Sequence, residues 1–273
     1  MSIFNKFNQT KPLVFIGCGK MGSALLDGWL NAGLKPENVI VVDPFVKPEG
    51  IKSFKSILKV PNKISPRMVV LCVKPQVMPD VLSDFNERQL DVKSVLSIAA
   101  GFKISKLEGG FMKGTAIIRA MPNTPASIGK GISGLYGNEA TSKDDFKLAK
   151  GLMESCGPVI TLNQEALIDA VTSISGSGPA YVFYLLEAMA KGGEAVGLSP
   201  ENACLLARET IIGAGALLDA SDADVKTLRE NVTSPNGTTQ AALNILMEDG
   251  ALVTLMKRAI KAARDRGVEI SES

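Results

Sequence analysis

The chain has 273 residues, 45% of them hydrophobic, and a formal charge of +2. That length suits one large domain or two ordinary ones, and near-neutrality without a basic block argues against nucleic acid as a partner. There is no histidine, which excludes a Ser-His-Asp triad, a Cys-His pair, His-ligated zinc and a His general acid. The four cysteines, Cys18, Cys72, Cys156 and Cys204, are widely spaced and form no C-x-x-C. They are expected to be reduced thiols packed in or near a core, with no metal site. The opening MSIFNKFNQTKP is too polar and short for a signal peptide, and no apolar run approaches the ~18 residues of a membrane helix. A cytoplasmic location with no membrane partner is expected.

In chain order, Leu13 to Ile16 predicts a first strand that ends in glycine. Met21 to Leu30 predicts a helix stopped by Gly33. Val39 to Val42, Met68 to Val73, Ser94 to Ile98 and Ala116 to Ile118 predict further strands, each bounded by Pro, Gly or charge. Ile132 to Tyr136 and Val159 to Leu162 add strands at the end of this region. Short β-rich runs separated by helical patterns imply βαβ units and a parallel sheet. From about Ile168 the strand-like runs stop. Helices are predicted over Pro179 to Val196, Pro200 to Leu218, Val225 to Val232, Thr239 to Met247 and Ala251 to Arg266, the first two opened by proline. In the last, Leu252, Leu255, Met256, Ala259, Ile260 and Ala263 share one face, opposite Lys257, Arg258, Lys261 and Arg264. Small residues such as Gly213-Ala214-Gly215-Ala216 permit close helix contact, either within the chain or with a partner subunit. The expected fold is an α/β Rossmann-type dinucleotide-binding domain over residues 1–165 and an all-α domain over residues 166–273.

Gly17-Cys18-Gly19-Lys20-Met21-Gly22 follows the first strand and opens the first helix. This is G-x-G-x-x-G in the context that gives it meaning. Gly17 supplies the tight turn, Gly19 admits a pyrophosphate and Gly22 lets helix pack on strand. Asp43 ends the second strand, where a carboxylate accepts from the adenosine ribose and repels a 2′-phosphate, favouring NAD over NADP. The other reading of Asp43 is a turn residue before Pro44. Lys74 is biased to extended backbone by Pro75 and points either at the ligand crevice or into solvent. Ala99-Ala100-Gly101 and Met121-Pro122-Asn123 end two further strands. Small residues and the Asn123 turn there would let a nicotinamide ring lie flat.

The stretch Thr233-Ser234-Pro235-Asn236-Gly237-Thr238-Thr239-Gln240 is a tight turn that opens a helix. Gly237 can take φ > 0 at no steric cost. Unpaired N–H groups at the helix start, with the hydroxyls of Ser234, Thr238 and Thr239, would cradle a carboxylate or phosphate. An ordinary N-cap is the plainer alternative. Ser175 to Gly178, before Pro179, reads either as a flexible helix entry or as part of a cleft where two domains meet; we favour a site role.

Together FIGCGKMGSAL, CVKPQ, SIAAG, RAMPNTPA, DAVTSISGSGPAYVFYLLEA and LRENVTSPNGTTQAAL, in this order from about Leu13 to Arg266, resemble the pyrroline-5-carboxylate reductases. The resemblance implies reduction of 1-pyrroline-5-carboxylate to L-proline with NADPH or NADH, by a dimer with interlocked helices that is often built into decamers. It places the dinucleotide on Gly17, Cys18, Gly19, Lys20, Met21, Gly22, on Val73-Lys74-Pro75 and on Ala99-Ala100. It also implies an asparagine on the cofactor, upstream of V-K-P, for which Asn62 is the candidate. The substrate carboxylate would lie on Ser234, Asn236, Gly237, Thr238 and Thr239, with Ser175 and Gly176 beside nicotinamide or substrate. The Thr239 hydroxyl would approach the ring nitrogen as the catalytic group. Two departures stand out. The family usually has two glycines where this chain has Asn236-Gly237, and asparagine tolerates the left-handed conformation better than most residues. Members that prefer NADPH tend to carry hydroxyl or basic groups where this chain has Asp43-Pro44, so Asp43 argues for NADH.

Hydride transfer to a cyclic imine needs mainly positioning, and the imine nitrogen carries part of its proton on arrival, so a chain without histidine suffices. Two other readings remain. A β-hydroxyacid dehydrogenase shares the glycine loop but needs a second-domain lysine as acid/base, and Lys191 and Lys226 stand in no N-x-x-K setting. A non-catalytic dinucleotide-binding module is the second.

Overall fold

The computed structural model describes residues 2–272. Its strands are β1 (Leu13–Ile16), β2 (Val39–Val42), β3 (Lys52–Phe54), β4 (Met68–Leu71), β5 (Ser94–Ser97), β6 (Ala116–Met121), β7 (Ser133–Gly137) and β8 (Val159–Thr161). They form one sheet in the order β3-β2-β1-β4-β5-β6-β7-β8. Neighbours are parallel except β6 and β7, which pair antiparallel with Arg119 opposite Tyr136. Order reverses at β1, whose two neighbours are β2 and β4, so the loops after β1 and β4 flank a crevice at the carboxyl ends of the strands.

Helices α1 (Lys20–Asn31), α2 (Met78–Arg88), α3 (Ile104–Leu107) and α4 (Lys143–Glu154) cover the sheet. β1, β2 and β4 are buried at every position, which is why they read as unbroken apolar runs; β5 is buried throughout as well, with a serine at each end. Their side chains alternate between two cores. Leu13 and Phe15 join Trp29 and the α4 residues Leu148 and Leu152 on one face, while Val14 and Ile16 join Met78, Leu82 and Phe85 of α2 on the other. The buried Trp29 indole donates to the Leu152 carbonyl at 2.7 Å, tying α1 to α4.

The rest of the chain is helical: α5 (Leu167–Val171), a π-turn (Thr172–Gly176), α6 (Gly178–Ala195), α7 (Pro200–Asp219), α8 (Val225–Asn231), α9 (Thr238–Met247) and α10 (Ala251–Glu272). Two compact units result. One runs to Ser177 and takes in the chain from Ala263 onward; the other is Gly178–Ala262. In the helical unit the buried cluster is only Ala190, Ala203 and Ala207, with Leu186 against it. Phe183, Tyr184, Leu206, Leu217 and Ile245 stand exposed.

Several expectations need correction. β3, Lys-Ser-Phe, has no apolar run because it is an edge strand with one covered neighbour. The predicted Ala116–Ile118 strand runs on to Met121, since β7 supplies an antiparallel partner there. α10 extends past Arg266 to Glu272, held by the sheet unit: a Cβ on Gly101 would sit 2.5 Å from Ile270 Cγ2. Cys18 and Cys156 are buried and Cys72 partly so, but Cys204 is exposed, on α7 beside the buried Ala203. All four are free thiols.

Candidate active site

The glycine loop joins β1 to α1. Gly17 has φ +85°, and a Cβ there would lie 2.7 Å from Val73 Cγ1 and 3.1 Å from the Cys72 carbonyl. A Cβ on Gly22 would lie 2.7 Å from the Gly17 oxygen. Both glycines are thus required by the closeness of loop, helix and β4. Gly19 differs: nothing lies within 4 Å of its Cβ position, and as N-cap of α1 it offers no side-chain hydrogen bond. The first-turn N–H groups of α1 thus have no side-chain acceptor and the space beside Gly19 is open, an arrangement that fits a dinucleotide diphosphate. Lys20 is exposed beside them and Met21 is half-buried.

Asp43 follows β2, as expected, but its carboxylate is already engaged. Oδ2 accepts from the Cys18 N–H at 2.7 Å, and Oδ1 accepts from the N–H groups of Phe45 at 2.8 Å and Val46 at 2.9 Å. These bonds are those of the turn former, the second of the two readings from sequence. Burial pushes the Cys18 and Cys72 thiols up, so both stay protonated at neutral pH.

The remaining strand ends line up along the same edge. After β4, Val73 leads to Lys74, exposed and extended at φ −63° and ψ 148°, and Pro75 opens a single 3-10 turn. After β5, Ala99 is buried, Ala100 is exposed, and Gly101 turns at φ +68°. After β6, Asn123 is 9% exposed and its Oδ1 accepts from the Ile132 N–H at 2.9 Å, so that side chain braces its own loop.

Asn62 does not belong to this set. It shares a shallow cavity with Ser65, Arg88 and Asp91, and the Ser65 N–H donates to the Thr10 carbonyl. These residues precede strands or stand at and after the end of α2, at the amino ends of the sheet, away from the crevice. The 3-10 turn and loop after β3 consume more chain than spacing to Lys74 suggested. Two residues past β3 stands Ser56, whose hydroxyl donates to Asp84 Oδ2 at 3.1 Å and accepts from the Leu58 N–H. Ser56 caps the 3-10 turn that follows; β3 itself is too short and polar to be recognised from sequence.

Ser175 and Gly176 lie in the π-turn, an i→i+5 irregularity that is common at functional sites. The Thr172, Ser173 and Ser175 hydroxyls all donate back to backbone carbonyls, which accommodates the wide turn. Beneath it, Arg119 on β6 pairs with Glu165 at 2.7 Å, and the same Glu165 oxygen accepts from the Ile104 N–H. A Cβ on Gly176 would meet Met121 at 3.2 Å, so the π-turn rests on the end of β6.

In the helical unit, the turn before α9 corrects one detail. The left-handed residue is Asn236, at φ 59°, and not Gly237, which is extended at φ −83° and ψ 173°. Glycine is needed at 237 for another reason: a Cβ there would lie 2.3 Å from Ser234 Oγ. The Gly237 N–H donates to the Ser234 carbonyl at 3.0 Å, closing the turn. Ser142 caps α4, Ser199 caps α7 and Asp224 caps α8, each accepting from an N–H of the first turn. No side chain does so for α9. Its first N–H groups are left for another acceptor, beside an exposed Thr238 and a half-buried Thr239.

Residues 165–270 match the family described as pyrroline-5-carboxylate reductase dimerisation, and residues 12–101 match NADP oxidoreductase coenzyme F420-dependent. The chain is 36% identical to the pyrroline-5-carboxylate reductase of Pseudomonas aeruginosa over 97% of its own length and 98% of the relative's. The chain belongs to the pyrroline-5-carboxylate reductase family. The reductase of Methanosarcina acetivorans is 35% identical, over 97% of this chain and 99% of that one. Among solved structures, a pyrroline-5-carboxylate reductase from Coxiella burnetii superposes with a TM-score of 0.87 at 34% identity, covering 97% of this chain and all of that one. The Plasmodium falciparum pyrroline carboxylate reductase, solved with NADP bound, gives 0.81 at 31% identity, covering 96% and 99%. The sheet domain is thus an NAD(P)-binding oxidoreductase domain, and the helices carry a dimerisation domain. No helix among the described residues is long and apolar enough to cross a membrane.

Proposed function

We propose that this family member reduces 1-pyrroline-5-carboxylate to L-proline, the last step of proline biosynthesis, with its substrate held by the turn that opens α9. The observation that carries this reading is the uncapped α9 start: N–H groups without a side-chain acceptor, flanked by Ser234, Thr238 and Thr239, in a unit whose α7 and α8 are both capped by side chains. A carboxylate supplies the acceptor that the turn itself withholds, and the helix dipole favours its charge. NAD(P)H supplies the hydride. The diphosphate is held by the α1 start at Gly19 and Lys20, with Val73, Lys74, Ala99 and Ala100 on the neighbouring strand ends.

The protein's own contribution to the chemistry is orientation. Thr239 holds the ring nitrogen through its hydroxyl, and the α9 amides fix the carboxylate, so one face of the C=N bond is presented. The nitrogen's proton comes from solvent or through that hydroxyl, and the chain offers no histidine to compete for it. The family resemblance assigns Ser175 and Gly176, in the π-turn, to the nicotinamide or the substrate. The protein acts in the cytoplasm.

Asp43 sets the cofactor. Its carboxylate is fixed by three backbone N–H groups just after β2, the strand end that in this fold type receives the adenosine ribose, and a 2′-phosphate brought there would meet its negative charge. NADH is the preferred reductant. The decisive experiment compares kcat/KM for NADH and NADPH with pyrroline-5-carboxylate, in the wild type and in Thr239→Ala. The wild type should favour NADH, and the variant should lose about tenfold or more in kcat with little change in KM for the cofactor. An NADPH preference defeats the Asp43 argument. Undiminished turnover in Thr239→Ala defeats the role of the hydroxyl.

A further inference from the structure

The turn that opens α9 carries a reactive dipeptide. Asn236-Gly237 is the only Asn-Gly pair in the sequence. A glycine nitrogen has no Cβ beside it, so it approaches the preceding side-chain amide with least obstruction. Asn236 is exposed and stands in the left-handed region at φ 59°, and its side chain takes part in no hydrogen bond among the described residues. The amide is therefore open to water and unrestrained.

We infer that Asn236 is a site of spontaneous deamidation, and that the product switches off substrate binding. This rests on the reading of the α9 turn as the carboxylate cradle. The Gly237 nitrogen gives up its proton to hydroxide and attacks Cγ of Asn236. The new N–Cγ bond closes a five-membered imide, the Cγ–Nδ2 bond breaks, and ammonia leaves. Water then opens the ring at either carbonyl, giving aspartate or isoaspartate. One water is consumed and one ammonia released, with no oxidation or reduction. The Gly237 N–H must first leave the Ser234 carbonyl, to which it donates at 3.0 Å. The reaction is accordingly slower in the folded protein than in the denatured chain, and it quickens with rising pH.

Either product places a new carboxylate on the residue that precedes the α9 N-cap. That charge takes up the free N–H groups and repels an incoming carboxylate. Isoaspartate also adds a methylene to the main chain inside a turn whose glycine already sits against Ser234 Oγ.

The test ages the whole protein at mildly alkaline pH and follows it by peptide mapping, by KM for pyrroline-5-carboxylate and by NADH affinity. The peptide containing Asn236 should gain one dalton. KM should rise by about tenfold or more in the converted fraction, the size expected when two carboxylates share one site, while NADH affinity holds. Freshly made Asn236→Asp should show the raised KM from the outset. Asn236→Gly should age with neither mass gain nor drift from its own starting KM. If denatured protein converts and folded protein does not over the same period, the inference falls and the substrate turn is untouched. If the mass gain appears but KM stays constant in both aged protein and Asn236→Asp, the loss of binding is refuted and the cradle reading falls with it.

Discussion

Two helices in this protein begin the same way and for different reasons. α1 and α9 each start from a glycine N-cap without a side-chain hydrogen bond, so no side chain takes up their first N–H groups. At α1 the glycines answer to the fold: Gly17 and Gly22 are pressed against Val73, Cys72 and each other. At α9 the glycine answers only to its own turn, where Ser234 Oγ occupies the space a Cβ would need. The α1 start is a by-product of strand and helix packing. The α9 start is four residues of local geometry on an exposed surface. Damage to the first should therefore unfold as well as disarm, while damage to the second should disarm alone.

The largest effect is expected from Gly22→Ala. Its Cβ meets the backbone oxygen of Gly17 at 2.7 Å, so stability should fall by about 1–3 kcal/mol and NADH titration should show lost binding. A variant with unchanged melting temperature would break the contrast. Gly237→Ala comes next: the fold and NADH affinity should hold, because the clash is with a serine hydroxyl that can rotate. KM for pyrroline-5-carboxylate should rise about tenfold, the cost of one displaced charge-assisted hydrogen bond. Removing the hydroxyl as well, in Ser234→Ala with Gly237→Ala, should restore the turn's shape by circular dichroism without restoring KM. A loss of stability like that of Gly22→Ala would show the two starts to be alike after all.

The smallest effect concerns Asp169, which lies in neither start. Burial raises its carboxyl above the ordinary 3.8, against the pull of Arg119 and Lys103. A raised folded pKa means that the stability this group contributes is present below 3.8 and is lost as pH rises through the folded value. Asp169→Asn should thus gain on the wild type in thermal unfolding between acid and neutral pH, by a modest margin, with both ligand affinities unchanged. A widening deficit toward neutral pH would reverse the sign and refute the burial argument.

The same contrast explains what could be read from the residues alone. The glycine loop is legible because its glycines fall at fixed spacing between an apolar strand and a helix, and the structure adds which atoms enforce Gly17 and Gly22. The α9 turn was legible as a turn, but the assignment of its strained residue was not, since Asn236 and Gly237 both tolerate φ > 0 and only the closed backbone decides between them. Asn62 went astray because β3 is a three-residue polar edge strand that leaves no trace in periodicity. Asp43 was found at its place after β2, yet its bonds to Cys18, Phe45 and Val46 join backbone groups that no side-chain pattern records. The long helix α2 is visible as Met78, Leu82 and Phe85 at helical spacing once the sheet shows which face they cover.

The helical unit, finally, buries three alanines and leaves Phe183, Leu206, Leu217 and Ile245 uncovered. A fold that completes its core only with a second copy obeys mass action: its unfolding equilibrium contains the square of a concentration. Dilution then acts on this protein as a denaturant does, loosening the helices while the sheet domain, whose core is closed within one chain, stays intact.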